Sequence, residues 1–427
     1  MEASPATAPP AVPRWLPAGA ALAAAGWGAN QFTPLAAVHR TQEQWHPVLV
    51  AVLFTAYLPG LLPGLLLGGP AADRFGRRRV VRAALLLSAA ASALPTAAAS
   101  SPTAVCAGRL ATGVAAGFAL SAGTRWLREL CAAAGRSGAG ERRAACATGA
   151  GLAGGALAAG MLAEWLPAPT VLPCLVHAAL ALLALAATTC ARETTAGTAG
   201  APLRLGGWCR RTVGHPRFVW VVLPASPAVF GAATVAYVVL PPLVADEVPG
   251  YAPLFSGVVA ALTLSVGLVA QPLAVRLHHA RTARATLAGM VTVIGGLLVG
   301  ALAAYGDSVA LVLVAAVLLG AGYGLTLGSG LLEIARLAPP SALPSTAFLH
   351  QGAAYSGFLT PLLLAVTAGG PVSGAAHRHG GGGAALPLGH GPVQPGQSAV
   401  TAGHTPSPPT GVSRRPAPRR GVGPWVV

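Results

Sequence analysis

Long apolar runs alternate with short polar, arginine-bearing segments along most of this chain. Each run is about 20 residues long and almost uncharged, which is the length that an α-helix needs to cross the hydrocarbon core of a bilayer. About eleven such runs are present, at 16–38, 46–69, 80–99, 104–124, 144–166, 170–190, 218–244, 253–275, 285–305, 308–332 and 344–368. The pattern predicts an all-α membrane protein with about eleven transmembrane helices.

The composition excludes a water-soluble globule. Of the 427 residues only 9% are charged and 54% are hydrophobic, with a mean hydropathy of +0.64. Too few charged side chains remain to cover a water-facing surface. The first run resembles a secretory signal in its small residues, but it is longer than a signal core and holds Trp27, Asn30 and Gln31. We therefore expect this run to be retained as a span.

The placement of arginine predicts the orientation. All 27 basic residues are arginine, and with segment 1–15 in the cytoplasm nearly every arginine outside the spans and the segment after 368 is cytoplasmic, Arg40 being the exception. This is the bias that positive residues show in membrane proteins. We expect a multi-pass protein of the cell membrane with a cytoplasmic N-terminus. The net charge of +16 then indicates contact with anionic lipid rather than nucleic acid, because no basic patch with interleaved aromatic residues accompanies it.

An internal repeat organises the chain. A shift of 202 positions carries Leu16 onto Phe218 and brings runs two to five close to runs eight to eleven. The prediction is a duplicated bundle, with six helices in 16–190, a central cytoplasmic loop at 191–217, and five visible helices in 218–368.

A twelfth run is expected near Pro371 but is missing. Segment 369–427 is rich in Gly, Pro, Arg and His and contains no apolar run of 18 residues, so it is not expected to form a bilayer helix. Two interpretations stay open. The segment is either a disordered tail or the product of a shifted reading frame that has replaced the expected helix, which the lysine-free, alanine-rich composition favours.

A short charged motif lies between the second and third runs. Segment 69–79 reads GPAADRFGRRR, and it resembles the cytoplasmic loop signature of the major facilitator superfamily of secondary transporters. The residues that carry the resemblance are Gly69, Asp73, Arg74, Gly76, Arg77 and Arg78. The family implies a bundle of two six-helix halves that rock against each other.

The motif has a physical logic as a conformational latch. Asp73 is placed to face the N-terminal end of a neighbouring helix, such as span eleven, and so to join the two halves. Gly69 and Gly76 permit close helix approach and a tight turn. The resemblance further implies that Arg74, Arg77 and Arg78 pair with acids near the inner end of span four, where Glu129 is the local candidate. The alternative is that the arginines serve orientation alone.

Span four carries a second resemblance to the same family. Arg109 is followed by Gly113 and Gly117 at four-residue steps. An arginine at membrane depth costs about 2.5–3.5 kcal/mol on insertion scales, so it should face a polar cavity or extend to the interface; both alternatives stay open. The resemblance implies a role in proton coupling or solute contact. Gly113 and Gly117, with Gly154 and Gly155 in span five, predict close helix packing.

Polar residues inside the spans are further candidates for a solute cavity, which the family places between spans one, four, seven and ten. They are Asn30, Gln31, Tyr57, Tyr237, Tyr323, His350, Gln351 and Tyr355. The alternative for each is a hydrogen-bonded contact between helices. No acidic residue lies at the middle of a span, so Arg109 and His350 are the candidates for a titration-linked role.

These observations favour a secondary active transporter that moves a small solute, with protons as a candidate coupling ion. We expect a monomer. We also expect no cofactor and no metal, because the cysteines and histidines are not spaced as metal or cofactor ligands are. We expect no enzyme, because no catalytic constellation converges in the spans. The alternatives are a non-transporting receptor or regulator, and a truncated, inactive transporter.

Overall fold

The computed structural model describes residues 15–98, 101–194, 211–279, 282–339 and 343–368, all within one compact unit, Met1–Gly374. Predictions made for 1–14, for most of the central loop and for 369–427 lie outside the described residues. Eleven helical spans follow each other: α1 (Leu16–Asn30 and Phe32–Thr41), α2 (Pro47–Phe75), α3 (Arg77–Ala97), α4 (Pro102–Ala133), α5 (Gly140–Trp165), α6 (Leu172–Cys190), α7 (Phe218–Leu243), α8 (Ala252–Leu277), α9 (Arg284–Tyr305), α10 (Val309–Leu337) and α11 (Leu343–Tyr355, Ser356–Leu359 and Thr360–Ala368).

The all-α membrane fold predicted from the sequence is confirmed. In the described part of the chain, nine helices, α2 to α10, are long and apolar enough to cross a membrane. The other two predicted spans, α1 and α11, are helical but interrupted, at Gln31 and at Ser356–Leu359.

Proline explains where the helices are interrupted. A proline has no N–H, so the carbonyl four residues before it loses its helical donor. Pro34 follows the break in α1, Pro59 follows a turn at Ala56 and Tyr57 in α2, and Pro361 follows the break in α11. In α11 the hydroxyl of Thr234 donates to the carbonyl of Gly357, four residues before Pro361, at 3.3 Å.

The duplication appears as repeated helix pairs. Gly113 of α4 lies so close to α2 that an added Cβ would be 2.1 Å from the carbonyl oxygen of Tyr57. Gly324 of α10 has the corresponding relation to α8, with an added Cβ 2.1 Å from the carbonyl oxygen of Gly267. Such contacts hold helix backbones together through small residues. The same packing therefore recurs six spans later.

The glycine predictions for α5 are half right. At Gly155 an added Cβ would lie 2.5 Å from the Cα of Trp27 in α1, whereas at Gly154 it would meet nothing within 4 Å. The prediction of a packing role for Gly154 was wrong, because successive residues point about 100° apart on a helix and only one of the two can face α1.

We expect Gly113→Ala to lower the free energy of unfolding by about 2 kcal/mol, because the methyl group must force α2 and α4 apart. Thermal unfolding of the detergent-purified protein measures the effect. Gly154→Ala is the matched control and should leave stability unchanged or slightly raised. Equal destabilisation by the two variants would contradict the packing account.

The two halves share an apolar core at one end of the bundle. We call the end where α2 finishes and α3 begins the basic end. Towards the opposite end, one apolar cluster takes residues from both halves, including Phe54, Val229 and Leu319. At the basic end the described clusters are separate, one around Trp126 in the first half and one around Phe218 in the second. The described conformation thus joins the halves at the opposite end.

Candidate functional site

The charged motif forms an ion-pair cluster at the basic end. Asp73 pairs with Arg77 and lies 3.5 Å from Nη1 of Arg125. Both partners belong to the first half. The sequence-derived latch between Asp73 and span eleven is therefore not among the described contacts of this conformation, because two arginines of its own half already neutralise the carboxylate.

Arg77 makes the contact with span four that the resemblance implied. Its Nε lies 3.3 Å from Oε1 of Glu129. Arg78 instead donates to the carbonyl of Ala191 at 3.0 Å, and the exposed Arg74 guanidinium lies 5.3 Å from the ring centre of Phe75. The implied acid contacts of Arg74 and Arg78 are therefore not among the contacts the structure describes.

Glu193 completes this cluster and was missed from the sequence. Its carboxylate accepts from the backbone N–H of Arg77 at 2.9 Å and of Arg78 at 3.1 Å, so it caps the positive N-terminal end of α3. Gly76, at φ +95°, leaves room for it, since an added Cβ would lie 2.7 Å from Oε2 of Glu193. The sequence did contain one indication of this contact: α3 starts with three arginines and has no capping side chain of its own, so its N-terminal end needs an acceptor from elsewhere.

Gly69 leaves space for the side chain of Arg125. An added Cβ at Gly69 would lie 3.2 Å from Nη2 of Arg125.

A second carboxylate cluster occupies the basic end of the other half. Glu333 of α10 is 2% exposed and binds Arg217 through both oxygens, at 2.8 Å from Nε and 2.8 Å from Nη2. Arg217 also donates to the carbonyl of Thr282 at 2.9 Å. This pair ties α7, α10 and the segment between α8 and α9 together. No role was predicted for Glu333 from the sequence.

Arg109 is buried in the protein, at 5% exposure. Its Nη1 donates to the carbonyl of Ala29 at 3.2 Å and its Nη2 to the carbonyl of Phe54 at 3.2 Å. Ala29 lies just before the break in α1 and Phe54 just before the break in α2. The alternative in which Arg109 extends to the membrane interface was wrong, because its guanidinium is buried in the protein and held by these two carbonyls.

Aromatic rings surround this guanidinium. Its carbon lies 4.8 Å from the ring centre of Phe32 and 4.9 Å from that of Tyr57, which is cation–π distance. In the described part of the chain, no carboxylate lies within salt-bridge distance of Arg109. The positive charge is thus stabilised by neutral groups.

The rings continue from Arg109 across both halves. Phe54 stacks on Phe358 at 5.6 Å and meets Tyr237 edge-on at 6.5 Å, while Phe230 stacks on Tyr355 at 4.5 Å. We call this set the aromatic cluster; its members are Phe32, Phe54, Tyr57, Phe230, Tyr237, Tyr323, Tyr355 and Phe358. The tyrosines selected from the sequence therefore belong to one ring cluster, in which Tyr57 lies beside Arg109.

The other selected polar residues connect helices. Asn30 donates to the carbonyl of Leu152 in α5 at 3.1 Å, and Gln31 donates to the hydroxyl of Ser92 in α3 at 3.0 Å. In α11, His350 contacts the hydroxyl of Ser226 in α7 at 2.8 Å, and Gln351 lies about one helical turn before Tyr355. No group of three or more metal-ligating side chains occurs in the described residues.

The structure combines two packed helical halves, ion-pair clusters at one end, and a buried cation next to an aromatic cluster that includes rings of both halves. This combination defines a multi-pass membrane transporter. The family model of the Major Facilitator Superfamily matches residues 18–371. The chain therefore belongs to the Major Facilitator Superfamily, whose members carry small solutes.

Similar proteins are transporters of different solutes. The 3-(3-hydroxy-phenyl)propionate transporter of Escherichia coli (strain K12) is 37% identical over 102 residues, which are 24% of this chain and 23% of that protein. The nucleoside transporter NupG has a TM-score of 0.64 at 14% identity, covering 83% of this chain and 91% of its own. A D-xylose-proton symporter has a TM-score of 0.62 at 16% identity, covering 82% and 89%. These structural likenesses show the fold alone.

Proposed function

We propose that this protein is a secondary active transporter that moves a small organic anion with an aromatic body across the cell membrane by alternating access. The observation that carries the proposal is the buried Arg109 guanidinium, which has neutral partners among the described residues and the rings of Phe32 and Tyr57 beside it. Phe54 continues this ring cluster to Tyr237 and Phe358 of the second half.

The charge of the site favours an anionic solute. An ionised group in a low-dielectric site is stabilised most by a full opposite charge. Arg109 has carbonyl dipoles and ring faces instead. A carboxylate is the group that a guanidinium binds best, through two parallel hydrogen bonds. The aromatic cluster supplies the flat apolar surface that the rest of such a solute needs.

The position of Arg109 links solute binding to movement. A carboxylate that takes over its Nη groups releases the carbonyls of Ala29 and Phe54. Ala29 lies in Leu16–Asn30, just before the break in α1, and Phe54 lies in Pro47–Thr55, just before the break in α2. Their release loosens both breaks, so that Phe32–Thr41 and Pro47–Thr55 can pivot. These segments belong to the end where the halves now share one core, so their release favours opening there. The ion-pair clusters of Asp73 and Glu333 hold each half rigid at the other end.

The relative in Escherichia coli supports this solute class, because its name describes an aromatic carboxylate. Proton coupling is part of the proposal and is supported by the D-xylose-proton symporter among the structural neighbours; Arg109 and His350 remain the candidate residues. The proposal also includes a cytoplasmic N-terminus, a monomer in contact with anionic lipid, and halves at 16–190 and 218–368.

Flux into proteoliposomes tests the proposal. We expect labelled 3-phenylpropionate to enter saturably in an inside-alkaline pH gradient and faster than it enters protein-free liposomes, into which the neutral acid also diffuses. The matched neutral amide, 3-phenylpropionamide, should compete at least about tenfold more weakly because it lacks the charge that Arg109 binds. Equal competition by the amide would refute the anion site. Saturable binding without flux would instead support the receptor alternative.

A further inference from the structure

A small cavity lies behind the aromatic cluster, inside the first half. Its volume is about 30 Å³, and residues from α1, α3, α4 and α6 line it. Gln31, Ser92, Arg109 and Cys174 are among the lining residues. Arg109 and Phe32, which belong to the proposed solute site, also line this cavity, so the cavity adjoins that site from within the first half.

Two buried polar atoms in this cavity's lining have no hydrogen-bond partner among the described residues. They are Nε of Arg109, an N–H donor, and Oε1 of Gln31, an acceptor. Both residues are 5% exposed. A buried polar atom nearly always has a partner, which is an ordered water where protein groups do not suffice.

The orientation of Gln31 follows from a chain of hydrogen bonds. The carbonyl of Ala24 can only accept, so Nε2 of His177, 3.0 Å away, carries the hydrogen. Nδ1 of His177 then accepts from the hydroxyl of Ser92 at 2.6 Å. The Ser92 oxygen in turn accepts from the amide nitrogen of Gln31 at 3.0 Å. With its nitrogen held by Ser92, Gln31 has Oε1 left as the acceptor without a partner, in a residue that lines the same cavity as Arg109.

We propose that the cavity is a site for ordered water, in which water accepts from Nε of Arg109 and donates to Oε1 of Gln31. A cavity needs roughly 10–15 Å³ of free volume for each water molecule, so this cavity holds one or two water molecules. Gln31, Ser92 and His177 thereby become positioning residues for the Arg109 guanidinium. Only their effect on solute affinity rests on the proposed function.

Two native cysteines provide a direct test. Cys174 and Cys131 are both buried, and Cys174 lines the cavity. X-ray radiolysis in ¹⁸O-labelled water makes hydroxyl radicals from bound water, and mass spectrometry reads the oxidised side chains. We expect Cys174 to be oxidised about tenfold faster than Cys131, because a bound water lies beside it. Equally slow oxidation of both cysteines would overturn the proposal.

Gln31→Leu provides the matched variant, since it removes the acceptor and fills the space. We expect it to slow Cys174 oxidation to the rate of Cys131, whereas Asn30→Leu, which alters a neighbour facing α5, leaves the Cys174 rate unchanged. An unchanged rate in Gln31→Leu would also overturn the water site. This readout needs no transport activity.

Transport kinetics test the positioning role. We expect His177→Leu to raise the KM for 3-phenylpropionate about tenfold and to lower kcat less, because a misaligned guanidinium binds the carboxylate poorly. His177→Gln, which keeps a donor and an acceptor, should restore most of the affinity. Equal KM for His177→Leu and wild type would refute positioning. If no variant and no wild-type protein transports the carboxylate, the proposed function fails, while Cys174 oxidation still decides the water site.

Discussion

We expect Arg109→Ala to reduce solute uptake at least about a hundredfold, since each hydrogen bond to a charged group contributes about 1.5–3 kcal/mol and about 1.4 kcal/mol corresponds to a factor of ten. The variant loses the bonds to Ala29 and Phe54 as well as the charge that the solute needs. Arg109→Lys should be nearly as inactive, because a lysine keeps the charge but cannot span two carbonyls.

Uptake in proteoliposomes measures this effect, with the amount of inserted protein determined in parallel. Arg142→Ala is the control, because Arg142 is an exposed arginine at the beginning of α5. It should transport like the wild type. Full uptake by Arg109→Ala, at equal insertion, would remove Arg109 from the solute site.

We expect Glu333→Gln to lower the free energy of unfolding by about 3 kcal/mol, because it removes the buried carboxylate and leaves the half-buried Arg217 without its partner. The corresponding fall in Tm is roughly 3 °C for a chain of this size. Arg217 holds the segment between α8 and α9 through carbonyl contacts, so the loss should also loosen that segment.

Thermal unfolding in detergent checks the Glu333 prediction. Glu141→Gln is the matched control, because Glu141 pairs with Arg128 at 3.4 Å with both side chains exposed. An exposed pair contributes less than about 1 kcal/mol. A smaller effect for Glu333→Gln than for Glu141→Gln would show that the basic-end pair does not stabilise the second half.

The fold was predictable from the sequence because apolar runs of about 20 residues have few stable arrangements other than spanning helices. The resemblance carried by the motif between α2 and α3 implied a contact of Arg77 with an acid at the inner end of span four, and Glu129 is that acid. The convergence of Tyr237 and Tyr323 followed from the family arrangement of spans.

Two features could not be predicted from the sequence. One is the direction of the Arg109 side chain, and the other is the set of contacts between residues far apart in the chain. The position of Arg109 in span four left the direction of its side chain open, because that direction depends on the carbonyls of Ala29 and Phe54, which belong to other helices. Glu193 and Arg77 are 116 positions apart, as are Arg217 and Glu333. No local pattern connects residues at such separations, so packing alone reveals these pairs.

The most direct test of alternating access around Arg109 is a pair of distances between α3 and α9, which occupy equivalent places in the two halves. Spin labels at the exposed positions Arg79 and Arg284 report on the basic end, and labels at Ala97 and Tyr305 report on the opposite end. In a cysteine-free background, double electron–electron resonance measures both. We expect 3-phenylpropionate to shift the two distances in opposite directions, with the opposite end widening. Distances that stay fixed, or that change together, would contradict the account.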